Sequence, residues 1–256
     1  ATMMALQGLS VNASGPVPVR TDSNTQMSSD KEVVYVNTYD TSKRVHDFDA
    51  NWKFYLGDAE GAEQVNFDDS AWKTVSVPHD YSIEQEYTQS GEAESGYLPG
   101  GTGWYRKHFT LTEDMKDKEV RIDFGGVYMN ATVWVNGTQL GTHPYGYTPF
   151  SFDITEYVKA GEDNVITVKV DHQTPSSRWY SGSGIYRSVD LTVMDKVHVG
   201  LNGTKIATPN LAKEKDGEVN MDIVTTVANE GKDAKEVTLV HTLREKGKKD
   251  TVATVT

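Results

Sequence analysis

Asp80, Tyr81, Tyr97, Trp104, Tyr105, Tyr145, Tyr147, Arg178, Trp179 and Tyr180 read as loop residues of a β-rich chain. Flat rings suit the apolar faces of a sugar, and carboxylate or guanidinium groups suit its hydroxyl edges, so together they form a candidate carbohydrate surface. Taken singly, each ring reads by default as a core ring or a cover over an open sandwich end, and the sugar surface competes with that reading only for the set. The densest stretch is "SSRWYSGSGIYRSVDL" (176–191), with two arginines, three aromatics and two glycines in sixteen residues.

Other chemistries lack their residues. No Gly-x-x-x-x-Gly-Lys or Gly-x-Gly-x-x-Gly follows a strand and opens a helix, so a phosphate cradle is missing. The seven histidines (His46, His79, His108, His143, His172, His198 and His241) never fall in a short ligand spacing, and no metal site or cofactor is expected. Pairs such as Glu113-Asp114 and Glu162-Asp163 sit in loop runs, where a solvated charge is the default. Cysteine is absent, which removes disulfides and thiol nucleophiles together. With 25 Lys+Arg against 37 Asp+Glu the formal charge is -12, a field that repels nucleic acid. No apolar run approaches the roughly 18 residues of a membrane span. Asn12, Asn130, Asn136 and Asn202 each open an Asn-x-Ser/Thr triplet, which matters only in a host that glycosylates.

The elements that must position these residues are strands. "EVVYVNTY", "WKFYLGD", "WKTVSVP", "WYRKHFTL", "EVRIDFGGV", "ATVWVNG", "NVITVKVDH" and "SVDLTVM" are rich in Val, Ile, Thr and aromatics and are separated by Gly, Pro and Asp turns, the pattern of an antiparallel sandwich. In "VRIDF", Val120, Ile122 and Phe124 share one face and Arg121 and Asp123 the other. Asn136-Gly137 between two strand-like runs predicts a two-residue hairpin, a structural role. From Pro78 to Trp104 no period survives, and a loop of that length inside a domain is usually functional.

Three segments are expected. Residues 1–31 read as the tail of a secretory signal, cleaved after Ala13, followed by a flexible leader, the plain alternative being a disordered extension. Residues 32–195 form the main β-sandwich. After Met194 the aromatics vanish and Lys, Glu, Val and Thr take over. Val219, Met221, Ile223 and Thr225 alternate, and Val237, Leu239 and His241 resume the alternation after a turn at Asn229-Glu230-Gly231. Residues 196–256 are therefore expected to begin a second, immunoglobulin-like sandwich, short of the roughly 100 residues that fold needs.

"DFDANWKFYLGD", "FDDSAWKTVSVPHDYSIE", "GGTGWYRKHFTL", the run from Arg121 to His172 and "SSRWYSGSGIYRSVDL" resemble, in consecutive order, the N-terminal sugar-binding domain of glycoside hydrolase family 2, in its branch of secreted bacterial β-galactosidases. The resemblance covers about residues 45 to 195 and implies a jelly-roll-like, galactose-binding β-sandwich followed by the start of an immunoglobulin-like one. It implies a retaining glycosidase with two glutamates about 5 Å apart in a downstream (β/α)₈ barrel, so that no catalytic residue is expected within these residues. The implied substrate is a β-galactoside such as lactose, and the implied location is secreted or at a bacterial cell surface. β-Glucuronidase, β-mannosidase and a non-catalytic binding module are the alternatives. By resemblance Asp80 accepts from two adjacent sugar hydroxyls, Arg178 donates to a ring-edge oxygen or fixes a barrel carboxylate, and Trp179 is a sugar platform or an interdomain anchor. Glucuronidase-like and enterobacterial relatives carry aspartate where this chain has Arg178, so Asp80 takes over that role or Arg178 is a structural salt bridge.

Overall fold

A computed structural model describes residues 2–7, 43–176, 181–213 and 217–255. In chain order the strands are β1 (Thr2–Gln7), β2 (Val45–Asp47), β3 (Trp52–Leu56), β4 (Lys73–Val75), β5 (Gly101–Thr110), β6 (Glu119–Phe124), β7 (Ala131–Val135), β8 (Thr138–His143), β9 (Phe150–Asp153), β10 (Asp163–His172), β11 (Val189–Met194), β12 (Val197–Ala207), β13 (Asp222–Asn229), β14 (His241–Arg244) and β15 (Thr251–Val255). Short 3₁₀ turns at Ala93–Ser95 and Glu113–Met115 are the helical segments among the described residues, and the all-β expectation holds. The run at 32–39 lies outside the described residues.

The chain divides into two compact units, one carrying β2 to β11 and the other β1 and β12 to β15. In the larger unit a six-stranded antiparallel sheet, ordered β4-β3-β5-β10-β7-β8, faces a four-stranded sheet, β2-β11-β6-β9. Trp52, Phe54, Tyr105, Ile166 and Val168 from the first sheet meet Ile122, Phe124, Val189 and Leu191 from the second in one core. Strand β6 buries alternate residues as its spacing predicts, with Val120, Ile122 and Phe124 inward. The β7–β8 turn is the two-residue type foreseen, with Asn136 at φ 48° and Gly137 at φ 80°, a left-handed pair whose twist matches the flanking strands. The Asn136 side chain also accepts from Val165 N at 2.9 Å and donates to Tyr157 O at 2.7 Å and Asn164 Oδ1 at 2.9 Å.

Strand β5 is buried on both faces. Its inward residues join the core, and its outward Trp104 and Arg106 are covered by the 57–72 connection through Ala62, Phe67 and Trp72. Arg106, 0% exposed, holds that connection in place: Nε donates to Asp69 Oδ2 at 2.8 Å, Nη1 to the carbonyls of Ala62 and Gln64, and Nη2 to that of Val65.

Lys107 is the second buried cation of β5, 1% exposed, with Nζ donating to Phe48 O at 3.0 Å and Ala50 O at 2.5 Å and lying 4.1 Å from the Phe48 ring centroid. Burial pushes this ammonium down to about 8 from its ordinary 10.5, against the pull of Asp47 and Asp49. Between those two values the unfolded chain holds a proton that the native state has released, so Lys107 makes stability rise with pH across that window. The buried phenols of Tyr81 and Tyr105, raised by desolvation, act oppositely above about pH 10, where the unfolded chain ionises first. The stability of the wild type minus that of Lys107→Met, measured by urea denaturation, is expected to climb by about 2 kcal/mol from about pH 8 to 10. A difference that stays flat would dismiss Lys107 as the source.

In the smaller unit β1, β13 and β12 form a three-stranded antiparallel sheet, and β14 pairs with β15. The expected alternations begin too early, for Val219 and Met221 precede β13, and Val237 and Leu239 precede β14. Val237 is exposed, so its apolar spacing reflects no buried face. Among the described residues no helix is long and apolar enough to cross a membrane.

Candidate functional site

Strands β5 and β10 pair so that Gly101, the first residue of one, lies opposite His172, the last of the other. Two long connections meet there: residues 76–100 leading into β5 and residues 173–188 leaving β10. The first is an irregular loop, as its sequence predicts, closed on itself by Thr88 N to Tyr97 O (3.0 Å), Tyr97 N to Glu92 O (2.9 Å) and Gln85 Nε2 to Pro99 O (3.2 Å).

The loops are laced together around Asp80. His79 N donates to Ile185 O at 2.8 Å and Tyr81 N to Ser183 O at 2.9 Å, so residues 79–81 run as a ragged strand beside 183–185. Asp80 Oδ1 accepts from Ser82 N (2.9 Å), Ser82 Oγ (2.5 Å) and Ser183 N (2.8 Å). On its far side Gly184 exchanges two 2.9 Å backbone bonds with Tyr128. Gly184 has φ +121°, and a Cβ there would strike the Tyr105 hydroxyl and the His79 carbonyl, so this position requires glycine. Gly182 is required by proximity, since its Cβ would collide with Asp80 Oδ2. The two glycines of the 176–191 stretch thus let the backbone lie flat against Asp80 and the buried tyrosines.

Two imidazoles complete the lacing. His79 Nδ1 lies 2.7 Å from the Tyr105 hydroxyl and Nε2 3.4 Å from Glu84. His172 lies between Ser183 and Ser176, and the Ser176 N–H points at the Glu92 carboxylate, 3.2 and 3.3 Å from its two oxygens. Burial lowers the pKa of both rings, His79 against the pull of Glu84 and His172 against that of Glu92, Asp80 and Asp171.

Of the residues singled out by type, Asp80 stands at the centre of this end, and Arg178, Trp179 and Tyr180 lie outside the described residues. Trp104 and Tyr105 are not loop residues. They sit inside β5 on opposite faces, Tyr105 in the sandwich core and Trp104 under the 57–72 cover, because β5 is a central strand sealed on both sides. Tyr81 is also a core ring, with its hydroxyl donating to Gly101 O at 2.7 Å. Tyr97, Tyr145 and Tyr147 are exposed, the last two 57% and 44%. Tyr145 and Tyr147 meet edge to face at 5.6 Å, and Tyr147 meets Tyr128 at 5.3 Å. His172, Glu92 and Tyr128 are the members that residue types alone did not bring forward. For His172 a signal existed, a polar residue ending a strand-like run just before the aromatic stretch.

This arrangement can accept hydrogen bonds from hydroxyls. Oδ1 of Asp80 is filled, whereas no donor among the described residues reaches Oδ2, and the buried Ser181 Oγ has no hydrogen-bond partner among the described residues. Among the described residues no group of three or more His, Asp or Glu is placed to hold a metal ion.

The family profile described as "Glycosyl hydrolases family 2, sugar binding domain" matches residues 45–195. A β-galactosidase of Bacteroides ovatus is 44% identical over 202 residues, 78% of this chain and 23% of that protein. A β-glucuronidase of Formosa agariphila is 33% identical over 227 residues, 78% of this chain and 22% of that protein. The crystal structure of a β-glycosidase from Bacteroides vulgatus superposes with TM-score 0.69 at 39% identity, over 75% of this chain and 25% of that one. The chain therefore spans about a quarter of the length of these relatives. The fold and a match over most of the larger sandwich agree: the chain belongs to glycoside hydrolase family 2 and carries that family's sugar-binding domain.

Proposed function

We propose that this chain is the N-terminal part of a secreted bacterial β-galactosidase that hydrolyses terminal β-D-galactosyl residues with retention, and that Asp80, Arg178 and Trp179 are its sugar-binding residues. The likeness to the Bacteroides ovatus β-galactosidase carries the choice of sugar. The Asp80 carboxylate supports the contact, because one oxygen anchors the loop and the other lacks a donor among the described residues, as an acceptor for sugar hydroxyls requires. The acid/base and nucleophile belong to a barrel outside these residues, and the sandwich contributes binding and shape.

A second reading, β-glucuronidase, is favoured by the Formosa agariphila relative. The complete gene product assayed on 4-nitrophenyl β-galactoside and β-glucuronide separates the two. A kcat/KM at least about tenfold higher on the galactoside is expected. The reverse ratio gives the chain to the glucuronidases. Binding of galactosides without hydrolysis of either makes it a carbohydrate-binding module.

A further inference from the structure

We propose that Tyr145, Tyr147 and Arg187 form a glycan-binding surface whose ligand carries a uronic acid, the rings taking a pyranose face and the guanidinium its carboxylate. This goes beyond the reading above and does not depend on which sugar the enzyme cleaves.

Three connections build the surface: residues 125–130 between β6 and β7, 144–149 between β8 and β9, and 186–188 leading into β11. Tyr128, from the first, is 4% exposed and serves as the base. Tyr147 rests on it edge-on, and Tyr145 rests on Tyr147 in turn. The turn that carries these two rings is fastened at three points. Asn130 N donates to Pro144 O at 3.3 Å, the Tyr186 hydroxyl donates to Gly146 O at 2.8 Å, and His143 Nε2 lies 3.0 Å from the Thr148 hydroxyl. Gly146 sits so close to Tyr128 that a Cβ there would overlap its ring. The two exposed tyrosines are therefore held out by the packing beneath them. A platform already ordered loses little entropy when a ligand settles on it.

Arg187 decides the chemistry of that ligand. Its guanidinium carbon lies 5.3 Å from the centroid of the Tyr186 ring, and its Nη1 donates to Gly125 O at 3.3 Å. Nε and Nη2 have no partner among the described residues, and they are the two donors with which a guanidinium grips a carboxylate side-on. Arg121 uses that same pair on Asp123, Nε to Oδ1 at 2.6 Å and Nη2 to Oδ2 at 3.1 Å, and Arg106 holds Asp69 through Nε. Arg187 is exposed and meets no carboxylate among the described residues, so its fork is open to an acid from outside. The Tyr186 hydroxyl ties the two halves of the surface together. Burial raises its pKa, Arg187 draws it down, and Tyr147, Tyr128 and Tyr145 push it up, so these groups all bear on one spot. A uronic acid answers both halves, with an apolar ring face for tyrosine and a planar carboxylate for the fork. A neutral sugar answers only the rings.

The test uses the complete gene product and α-1,4-linked tetragalacturonic acid, a chain of uronates without the β-glycosidic bond that a β-glycosidase cleaves. Isothermal titration calorimetry is expected to show binding to the wild type, with neutral maltotetraose at least about tenfold weaker. Arg187→Gln is expected to lose about 10- to 100-fold in affinity for tetragalacturonate, the size of a lost hydrogen bond to a charged group. Arg187→Lys should recover only part, because an ammonium has no fork. Tyr145→Ala is expected to cost about tenfold. Both side chains are exposed, so the Tm of Arg187→Gln and of Tyr145→Ala should stay within about 2 °C of the wild type. No binding to the wild type, equal affinity for the two tetrasaccharides, or binding that both variants retain overturns the proposal. Tighter binding of a galactose tetrasaccharide bearing sulfate esters overturns the uronate, and a large fall in Tm gives the surface to a packing contact within the enzyme. None of these outcomes bears on the galactosidase reading, which the chromogenic assays decide.

Discussion

Arg106→Met is expected to destabilise the larger unit by about 3–5 kcal/mol, lowering Tm by on the order of 10 °C. The guanidinium is wholly buried and serves the 57–72 connection with a fork of donors: Nε to Asp69, Nη1 to Ala62, Gln64 and the Thr167 hydroxyl, and Nη2 to Val65. Methionine fills a similar volume but leaves those carbonyls unanswered. Burial by itself would raise the Asp69 carboxyl, and hydrogen bonds from His108 and Arg106 reverse that and hold it below its usual pKa. Without Arg106, the 3.4 Å contact from His108 Nε2 is a poor substitute. Desolvated acceptors left without donors cost more than the bonds contributed, which sets the size of the effect. Arg106→Lys should recover a fraction, because an ammonium cannot reproduce the fork. Thermal denaturation gives the number, and limited proteolysis should locate the new cleavages between Ala59 and Ser70. An unchanged Tm in Arg106→Met would mean that the covering connection is held by its Phe67 and Trp72 contacts alone.

The largest expected effect on activity is at Asp80, and two substitutions separate its two oxygens. Asp80→Asn can keep an oxygen where Oδ1 accepts from Ser82 and Ser183, but it places an amide donor where Oδ2 faces Gly182. In the complete enzyme kcat/KM is expected to fall about 10- to 100-fold, the size of a lost hydrogen bond to a charged group, with Tm lowered by only a few degrees. Asp80→Ala removes the loop tie as well, so it should lose the same activity and also the protection of Ser183 N. If Asp80→Asn keeps full activity while Asp80→Ala is unstable, Asp80 is a loop anchor and the sugar is held by other groups.

The strands were legible where one face is wet. Strand β6 announces itself through Val120, Ile122 and Phe124, and the Asn136-Gly137 turn through its left-handed residue types. Strand β5 was legible as a strand, but the destinations of its rings were not: with both faces sealed, Trp104 and Tyr105 are both buried and no alternation marks which is inside. Tyr81 was unreadable for another reason. Its surroundings come from Phe54, stacked at 5.4 Å, and from Gly101, neither of which any local pattern relates to it. The site was half legible. Residue types pointed to Asp80, yet its partner Ser183 lies 103 positions away, and the two connections are brought together by a register between β5 and β10 that no spacing in the sequence encodes. Arg178 and Trp179 lie beyond the described residues, so their part is carried by the proposal alone.

The β7–β8 turn has a chemical consequence of another kind. Asn-Gly is the dipeptide most prone to spontaneous deamidation, in which the glycine nitrogen attacks the asparagine side-chain carbonyl and expels ammonia. In the folded sandwich the Asn136 amide is held at both ends, Oδ1 by Val165 N and Nδ2 by Tyr157 O and Asn164 Oδ1, so the carbonyl cannot rotate into the path of Gly137 N without breaking three bonds. Ageing at this step is therefore tied to unfolding, and an intact Asn136 in stored protein records that the hairpin has stayed closed.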